Sequence, residues 1–154
     1  MGICQSNNSV NTYDLNRLDD TIELFSLDKQ KFEAKIVRVY DGDTCFAAFI
    51  WNKKPVKFKI RMEGYDSPEM KPLLSQSNRD KEIEAAKKAK SELERLVLNK
   101  IITLECGKWD KYGRLLAKIY VKENNNILNV NELMIKNGFG IPYDGGTKTA
   151  FVSK

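Results

Sequence analysis

The sequence predicts an α+β domain: a small, five-stranded β-barrel of the OB type with two to three packed helices. Two observations point there. Between Lys31 and Val121, five short stretches rich in β-branched and aromatic residues are separated by turn residues, and a single segment of helical period is inserted after the third. No segment repeats another. Three strands, a helix, two strands and a helix suit a closed OB-type barrel, with an open α+β sheet as the alternative. At 154 residues, 42% of them apolar, the chain is long enough for one domain with a substantial core.

The elements follow in order. Residues 1–12, rich in Asn and Ser, suit a flexible tether, and residues 21–28 suit a short lead-in strand or turn. From Lys31 the first strand sets Phe32, Ala34, Ile36 and Arg38 against Glu33, Lys35, Val37 and Val39. Asp41-Gly42-Asp43 is a tight turn, and Thr44 to Trp51 forms the second strand. After the turn at Asn52-Lys53-Lys54-Pro55, Val56, Phe58, Ile60 and Met62 alternate with Lys57, Lys59 and Arg61, completing a meander.

Gly64, Pro68 and Pro72 mark residues 64–78 as a long irregular loop, the kind that often carries function. Asn78 is the expected N-cap of a helix with Asp80 and Glu82 in its first turn, and Ile83, Ala86, Leu93, Leu96 and Val97 form its apolar stripe. Residues 101–106 form the fourth strand and residues 115–121 the fifth, with a turn at Asp110-Lys111-Tyr112-Gly113 between them. Glu123–Asn126 is a further turn. Asn129 with Glu132 opens a short helix that Gly138 closes, and the tail from Pro142 is irregular.

Charge divides the chain. Residues 1–30 carry five acids and two bases, a balance of −3, so the net +5 leaves +8 on residues 31–154. An acidic leader before a basic barrel domain suits a polyanion partner. Cys4, Cys45 and Cys106 form no metal-ligand spacing; Cys45 and Cys106 fall in apolar runs where a buried thiol is expected. Met1-Gly2-Ile3-Cys4-Gln5-Ser6 matches the N-myristoylation pattern, with Gly2 as the acylated residue. One such chain anchors only marginally, and the acidic leader supplies no polybasic second signal, so Cys4 is the candidate for a palmitoyl chain. The expected location is the cytoplasmic face of a membrane.

The chain has no histidine, which removes the commonest general base and transition-metal ligand. Chemistry must rest on carboxylates and arginines. Asp43 begins the second strand and Asp66 follows the third, so both acids can converge at one end of the meander as hard oxygen ligands for Ca²⁺ or Mg²⁺. Ser67, extended because it precedes Pro68, can aim its carbonyl at the same ion. Glu69 can orient or deprotonate a water. Arg61 and Arg114 can meet the charge that builds on a phosphorus undergoing attack. Taken singly, each is an ordinary turn or surface residue.

Together they resemble the staphylococcal nuclease (thermonuclease) family. The resemblance runs from about Phe32 to Gly138, through Val39-Tyr40-Asp41-Gly42-Asp43-Thr44, Arg61…Asp66-Ser67-Pro68-Glu69, Asp110 to Arg114, and Asn129-Val130-Asn131-Glu132. It implies an OB barrel and Ca²⁺-dependent, sugar-nonspecific endonuclease action on DNA and RNA, cutting the P–O5′ bond to leave 3′-phosphates; Mg²⁺ and Mn²⁺ stay open as the working ion. It implies Asp43, Asp66 and the Ser67 carbonyl as metal ligands, Arg61 and Arg114 on the phosphate, Glu69 on the water, and Asp41 behind the ligands. Lys111 and Tyr112 would contact a neighbouring nucleotide phosphate.

Ser67 stands where the family usually has threonine, residues 70–79 do not align well, and the chain after Gly138 diverges, leaving Tyr143 as the nearest candidate for the base-binding tyrosines. The acylation pattern resembles membrane-tethered eukaryotic or viral members, and a monomer is expected. The alternative is a catalytically inactive barrel that binds nucleic acid or protein; a third reading is a tethered module whose basic face meets anionic lipid.

Overall fold

The computed structural model describes residues 14–147. Gly2, Cys4 and the acylation pattern lie outside that range. A 3₁₀ turn, Leu15–Arg17, precedes the barrel. Five long strands form it: β1 (Lys31–Asp41), β2 (Thr44–Trp51), β3 (Lys54–Met62), β5 (Ile101–Trp109) and β6 (Leu115–Glu123). The order is β3-β2-β1-β5-β6, and parallel pairing of Ile60–Met62 with Leu115–Ala117 closes β3 onto β6. The closed OB-type barrel is therefore the fold. Closure removes the exposed edges that an open sheet would present.

Bulges bend β1 so that this closure is possible. Its register against β2 shifts between Ile36 and Arg38 and again between Val39 and Asp41. The first shift reverses the predicted alternation: Val39 is buried, while Val37 and Arg38 both face out. The core is one cluster, with Leu27, Ile36, Ile60, Leu104, Leu115 and Ile119 fully buried. Leu27 lies ahead of the first strand, and the backbones of Lys29 and Gln30 exchange hydrogen bonds with Cys106, so residues 27–30 are bound to the barrel. Cys45 and Cys106 are buried free thiols, as expected, and burial pushes their pKa values up to about 12 and about 11.

Two helices pack on the barrel, α1 (Arg79–Val97) and α2 (Val130–Lys136). Asn78 precedes α1, but its side chain caps nothing; its Oδ1 accepts from Gln76 Nε2 instead. The buried face of α1 is Glu82, Ala86, Ala89, Leu93, Leu96 and Val97, with Ile83 only half-buried. The Asn129 side chain accepts from the Glu132 N–H, as predicted. After α2, Gly138 N–H bonds Ile135 O and Phe139 N–H bonds Met134 O, with Gly138 at φ 77°. These two bonds form a Schellman closure, and a left-handed φ suits glycine there.

Three short strands have no signature in the sequence pattern. β7 (Asn126–Asn129) pairs with the far half of β6, while β4 (Tyr65–Asp66) pairs with β8 (Ile141–Pro142). The β4–β8 pair brings the segment after α2 back beside the loop that follows β3.

Candidate functional site

The β1–β2 turn, the end of β3, the loop after β4 and the β5–β6 turn surround a cleft of about 830 Å³. Every described residue singled out for the site lines it: Asp41, Asp43, Arg61, Asp66, Ser67, Glu69, Lys111, Tyr112, Arg114 and Tyr143.

Arg61 occupies the floor. It pairs with Thr44 of β2 and is only 6% exposed, with Tyr65 and Asp66 of the following segment bonded to its guanidinium. Its guanidinium joins the two predicted metal ligands: one nitrogen lies 2.5 Å from Asp66 Oδ1 and the other 3.3 Å from Asp43 Oδ1. The second nitrogen also donates to the carbonyls of Met62 and Tyr65, each at 3.0 Å. A guanidinium is a rigid fork and stays charged, so it holds these groups in one geometry.

Asp43 is equally engaged. Its Oδ1 accepts from the Thr44 hydroxyl, while Oδ2 accepts from both the backbone N–H and the hydroxyl of Ser67, at 2.8 and 2.9 Å. Ser67 thus ties the loop to the β1–β2 turn. Asp41 accepts from the Asp43 backbone N–H. Burial, followed by the neighbouring Asp43 charge, raises the Asp41 pKa to about 6.

The turn itself is fixed from behind. A Cβ on Gly42 would meet the Cβ atoms of Ser67 and Ala89 at 2.7 and 2.8 Å, so this close approach requires glycine. The fully buried Tyr65 donates its hydroxyl to Gly42 O at 2.7 Å. Burial, the largest cause, pushes its pKa well above the ordinary phenol value, so the proton stays in place.

Across the cleft, Arg114 depends on Asp110. The Asp110 Oδ2 accepts from Arg114 Nε at 2.6 Å, while Oδ1 accepts the backbone N–H groups of Tyr112 and Arg114. Burial acts to raise the Asp110 pKa, but these hydrogen bonds outweigh it and hold the carboxyl below its ordinary range. Tyr112, 72% exposed, lies beneath Lys111 and Arg114, its ring centre 5.1 and 5.4 Å from their charged groups. The Tyr143 N–H bonds Gly64 O and its hydroxyl donates to Gly146 O, which sets this side chain at the cleft's other end.

Glu69 is exposed at the rim, and its place is set by a residue that the predicted stripe left out. Glu82 is buried on α1; its Oε1 accepts the Glu69 backbone N–H at 3.1 Å and its Oε2 accepts from Gln76. One carboxylate therefore ties Glu69 to Gln76 across most of the segment whose sequence departs from the resemblance. The signal lay in spacing: positions 82, 86, 89, 93 and 96 follow the 4-3-4-3 rhythm of a buried helical face. Asn131 is a second residue of this kind. Buried on α2, it accepts from Ile119 N–H and donates to the carbonyls of Glu63 and Ala117, joining the helix to β6 and the exit of β3.

Among the described residues, no group of three or more His, Cys, Asp or Glu is placed to hold a metal ion. The acids at the floor come as a pair, Asp43 and Asp66, bridged by Arg61. Their donor set is nevertheless of the hard-oxygen kind that Ca²⁺ and Mg²⁺ take. Asp41 lies behind this pair and accepts from the Asp43 backbone N–H, so a third carboxylate lines the same cleft.

A closed OB-type barrel with carboxylates and guanidinium groups lining one cleft defines the class of protein. Comparison narrows the class to one family. The profile described as staphylococcal nuclease homologue matches residues 59–150, and the chain belongs to the staphylococcal nuclease family. An uncharacterized protein of Methanocaldococcus jannaschii is 31% identical over 136 residues, covering 74% of this chain and 60% of the relative. An uncharacterized endonuclease of Escherichia coli O157:H7 is 29% identical over 110 residues, covering 71% and 60%. One of Haemophilus influenzae is 28% identical over 120 residues, covering 78% and 57%. The chain thus spans about three-fifths of the length of these relatives.

Proposed function

We propose that this protein is a Ca²⁺-dependent endonuclease that hydrolyses phosphodiester bonds of DNA and RNA without sugar preference. One observation carries the reading: a buried guanidinium shared by Asp43 and Asp66 on the floor of a cleft whose opposite wall presents Arg114. A merely structural ion pair has no need of a second arginine, a lysine and two tyrosines facing it. The family and the relatives named as endonucleases support the same conclusion.

Asp43, Asp66 and the Ser67 carbonyl would hold the ion, with water completing its shell. When bound, it supplies Lewis-acid polarisation of a phosphoryl oxygen. Arg61 and Arg114 donate to the equatorial oxygens of the attacked phosphorus, where negative charge builds. Glu69 orients the water and accepts its proton as the water oxygen bonds to phosphorus. The P–O5′ bond breaks, the 5′-oxygen leaves and takes up a proton, and the phosphate remains on the 3′ side. Lys111 and Tyr112 contact the adjacent phosphate, while Tyr143 flanks the base.

Incubation with supercoiled plasmid tests this directly. Degradation with Ca²⁺ and protection by a chelator are expected; an intact plasmid with Ca²⁺, Mg²⁺ and Mn²⁺ alike would overturn the proposal. We further propose acylation at Gly2 and Cys4, from the sequence pattern alone, and a place at the cytoplasmic face of a membrane. A Gly2→Ala variant should leave the membrane fraction; one that stays there as the parent does refutes that part.

A further inference from the structure

The outer face of the β1–β2–β3 meander carries a feature that the cleavage chemistry does not use. The bulge at Val37 turns Arg38 outward, and the strand register then sets up two cross-strand rows, Lys35–Ala48–Lys57 and Arg38–Phe46–Lys59. All four cations in these rows are exposed, and neither row contains an acid. Arg38 lies 4.9 Å from the centre of the Phe46 ring and 5.9 Å from that of Tyr40, and the Lys59 ammonium is 4.7 Å from the Tyr40 ring centre. Tyr40 itself is 51% exposed.

Position along the strand matters as much as composition. Lys57, Lys59 and Arg61 occupy alternate positions of β3 and so recur about every 6.8 Å on one side of the sheet. This line of cations runs from the outer face to the buried guanidinium on the cleft floor. Tyr40 and Lys59 also line the cleft, so face and cleft are continuous.

We infer that this face is a binding track for an unpaired nucleic-acid strand, whose phosphates follow Lys57 and Lys59 into the cleft while a base stacks at Tyr40 and Arg38. The inference rests on the proposed cleavage of nucleic acid and extends its substrate path. Charge complementarity calls for a polyanion. The interleaved aromatic and guanidinium groups select one with exposed planar faces, which single strands offer and a paired duplex hides. Anionic lipid headgroups would match the charge but give the rings nothing to stack on.

Fluorescence anisotropy on the full chain tests this, with chelator present so that nothing is cut. The probes are a labelled 16-nucleotide single strand, a tetranucleotide and a 16-base-pair duplex. The parent should prefer the 16-nucleotide strand to the duplex. The double variant Arg38→Ala with Lys57→Ala should bind that strand at least about tenfold more weakly. Its slope of log affinity against log salt should fall by about 0.7, as loss of the one phosphate contact at Lys57 requires on a single strand. The tetranucleotide, short enough for the cleft alone, should change less than about twofold. Tyr40→Ala should lose about tenfold on the long strand and Tyr40→Phe should keep it.

An unchanged affinity and slope, an equal loss on the tetranucleotide, or a parent that prefers duplex would each overturn the inference. So would a double variant that loses phosphatidylserine vesicles while keeping the oligonucleotide, since the occupant would then be a membrane. The outcome is separable from the cleavage proposal. A protein that cuts no plasmid yet shows these losses keeps the track, and one that cuts plasmid without them keeps only the cleft.

Discussion

Arg61 and Arg114 face the same cleft and are held there by opposite means. Arg61 is buried, and its partners span the β1–β2 turn, the end of β3 and the loop beyond, so the barrel must close before its environment exists. Arg114 leaves a quarter of its side chain exposed and leans on Asp110, four residues back in the same hairpin. The first arginine belongs to the fold as much as to the site; the second is positioned by a local turn. Two groups proposed for one phosphate should therefore differ sharply in what their loss does to stability.

The sharpest way to break that contrast is Arg61→Ala. It leaves Asp43 and Asp66 as buried, uncompensated charges, and removal of one member of a buried ion pair costs about 3–5 kcal/mol. Against a typical domain stability of about 5–15 kcal/mol this is a large fraction, and urea unfolding should show it. Activity should fall at least 10²-fold to 10³-fold, by analogy with loss of one oxyanion donor. Arg61→Lys should lose most activity as well, because an ammonium cannot bridge two carboxylates as a fork does.

Arg114→Ala is the matched test. The same fall in activity is expected with a stability change within about 1 kcal/mol, the range of partly exposed ion pairs. If the two alanine variants unfold at the same urea concentration, the contrast between them is wrong.

The same divide governs what the sequence could tell. The barrel was legible because alternation along Val56–Met62 and the turn residues at Asp41–Asp43 are local signals, and so was the meeting of Asp43 with Asp66 across neighbouring strands. The inversion at Val37 was not, since a bulge adds one residue without altering composition. Nor were the two-residue strands β4 and β8, too short to show a period, although they bring Tyr143 to the cleft. Glu82 does sit in the first turn of α1, as expected, but the helix dipole already explains an acid there, and that local explanation masked its long-range clamp on Glu69 and Gln76.

Glu82→Gln probes that clamp and ranks next in expected effect. A carboxylate accepts at both oxygens, whereas an amide presents one oxygen and one NH₂. One of the two donors, Glu69 N–H or Gln76 Nε2, would then face another donor. Loss of a buried partner costs about 1–3 kcal/mol. If Glu69 acts on the water, its displacement should lower kcat about tenfold with little change in KM, since substrate is held from the arginine walls. An equal rise in KM would make Glu82 a support of the binding surface instead. Either way the loop between Pro68 and Gln76 should be cut faster by protease than in the parent, a readout independent of turnover.

The smallest effect expected is a pH dependence seated at Asp110. Its folded pKa lies below the unfolded value of 3.8, because hydrogen bonds from the Tyr112 and Arg114 backbones and from the Arg114 side chain together outweigh burial. A depressed carboxyl binds its proton more weakly when folded, so it contributes stability above the unfolded pKa and loses it as pH falls through the folded one. Asp110→Asn removes the charge and this dependence together. At pH 7 the variant should be less stable than the parent by no more than about 1 kcal/mol, since the pair is near the surface. As pH drops below about 4, where aspartate begins to protonate, the parent's Tm should fall more steeply and the gap should narrow. A gap that stays constant down to pH 2 would mean that Asp110 holds the hairpin by shape rather than charge, and Arg114 would then keep its place at any protonation state.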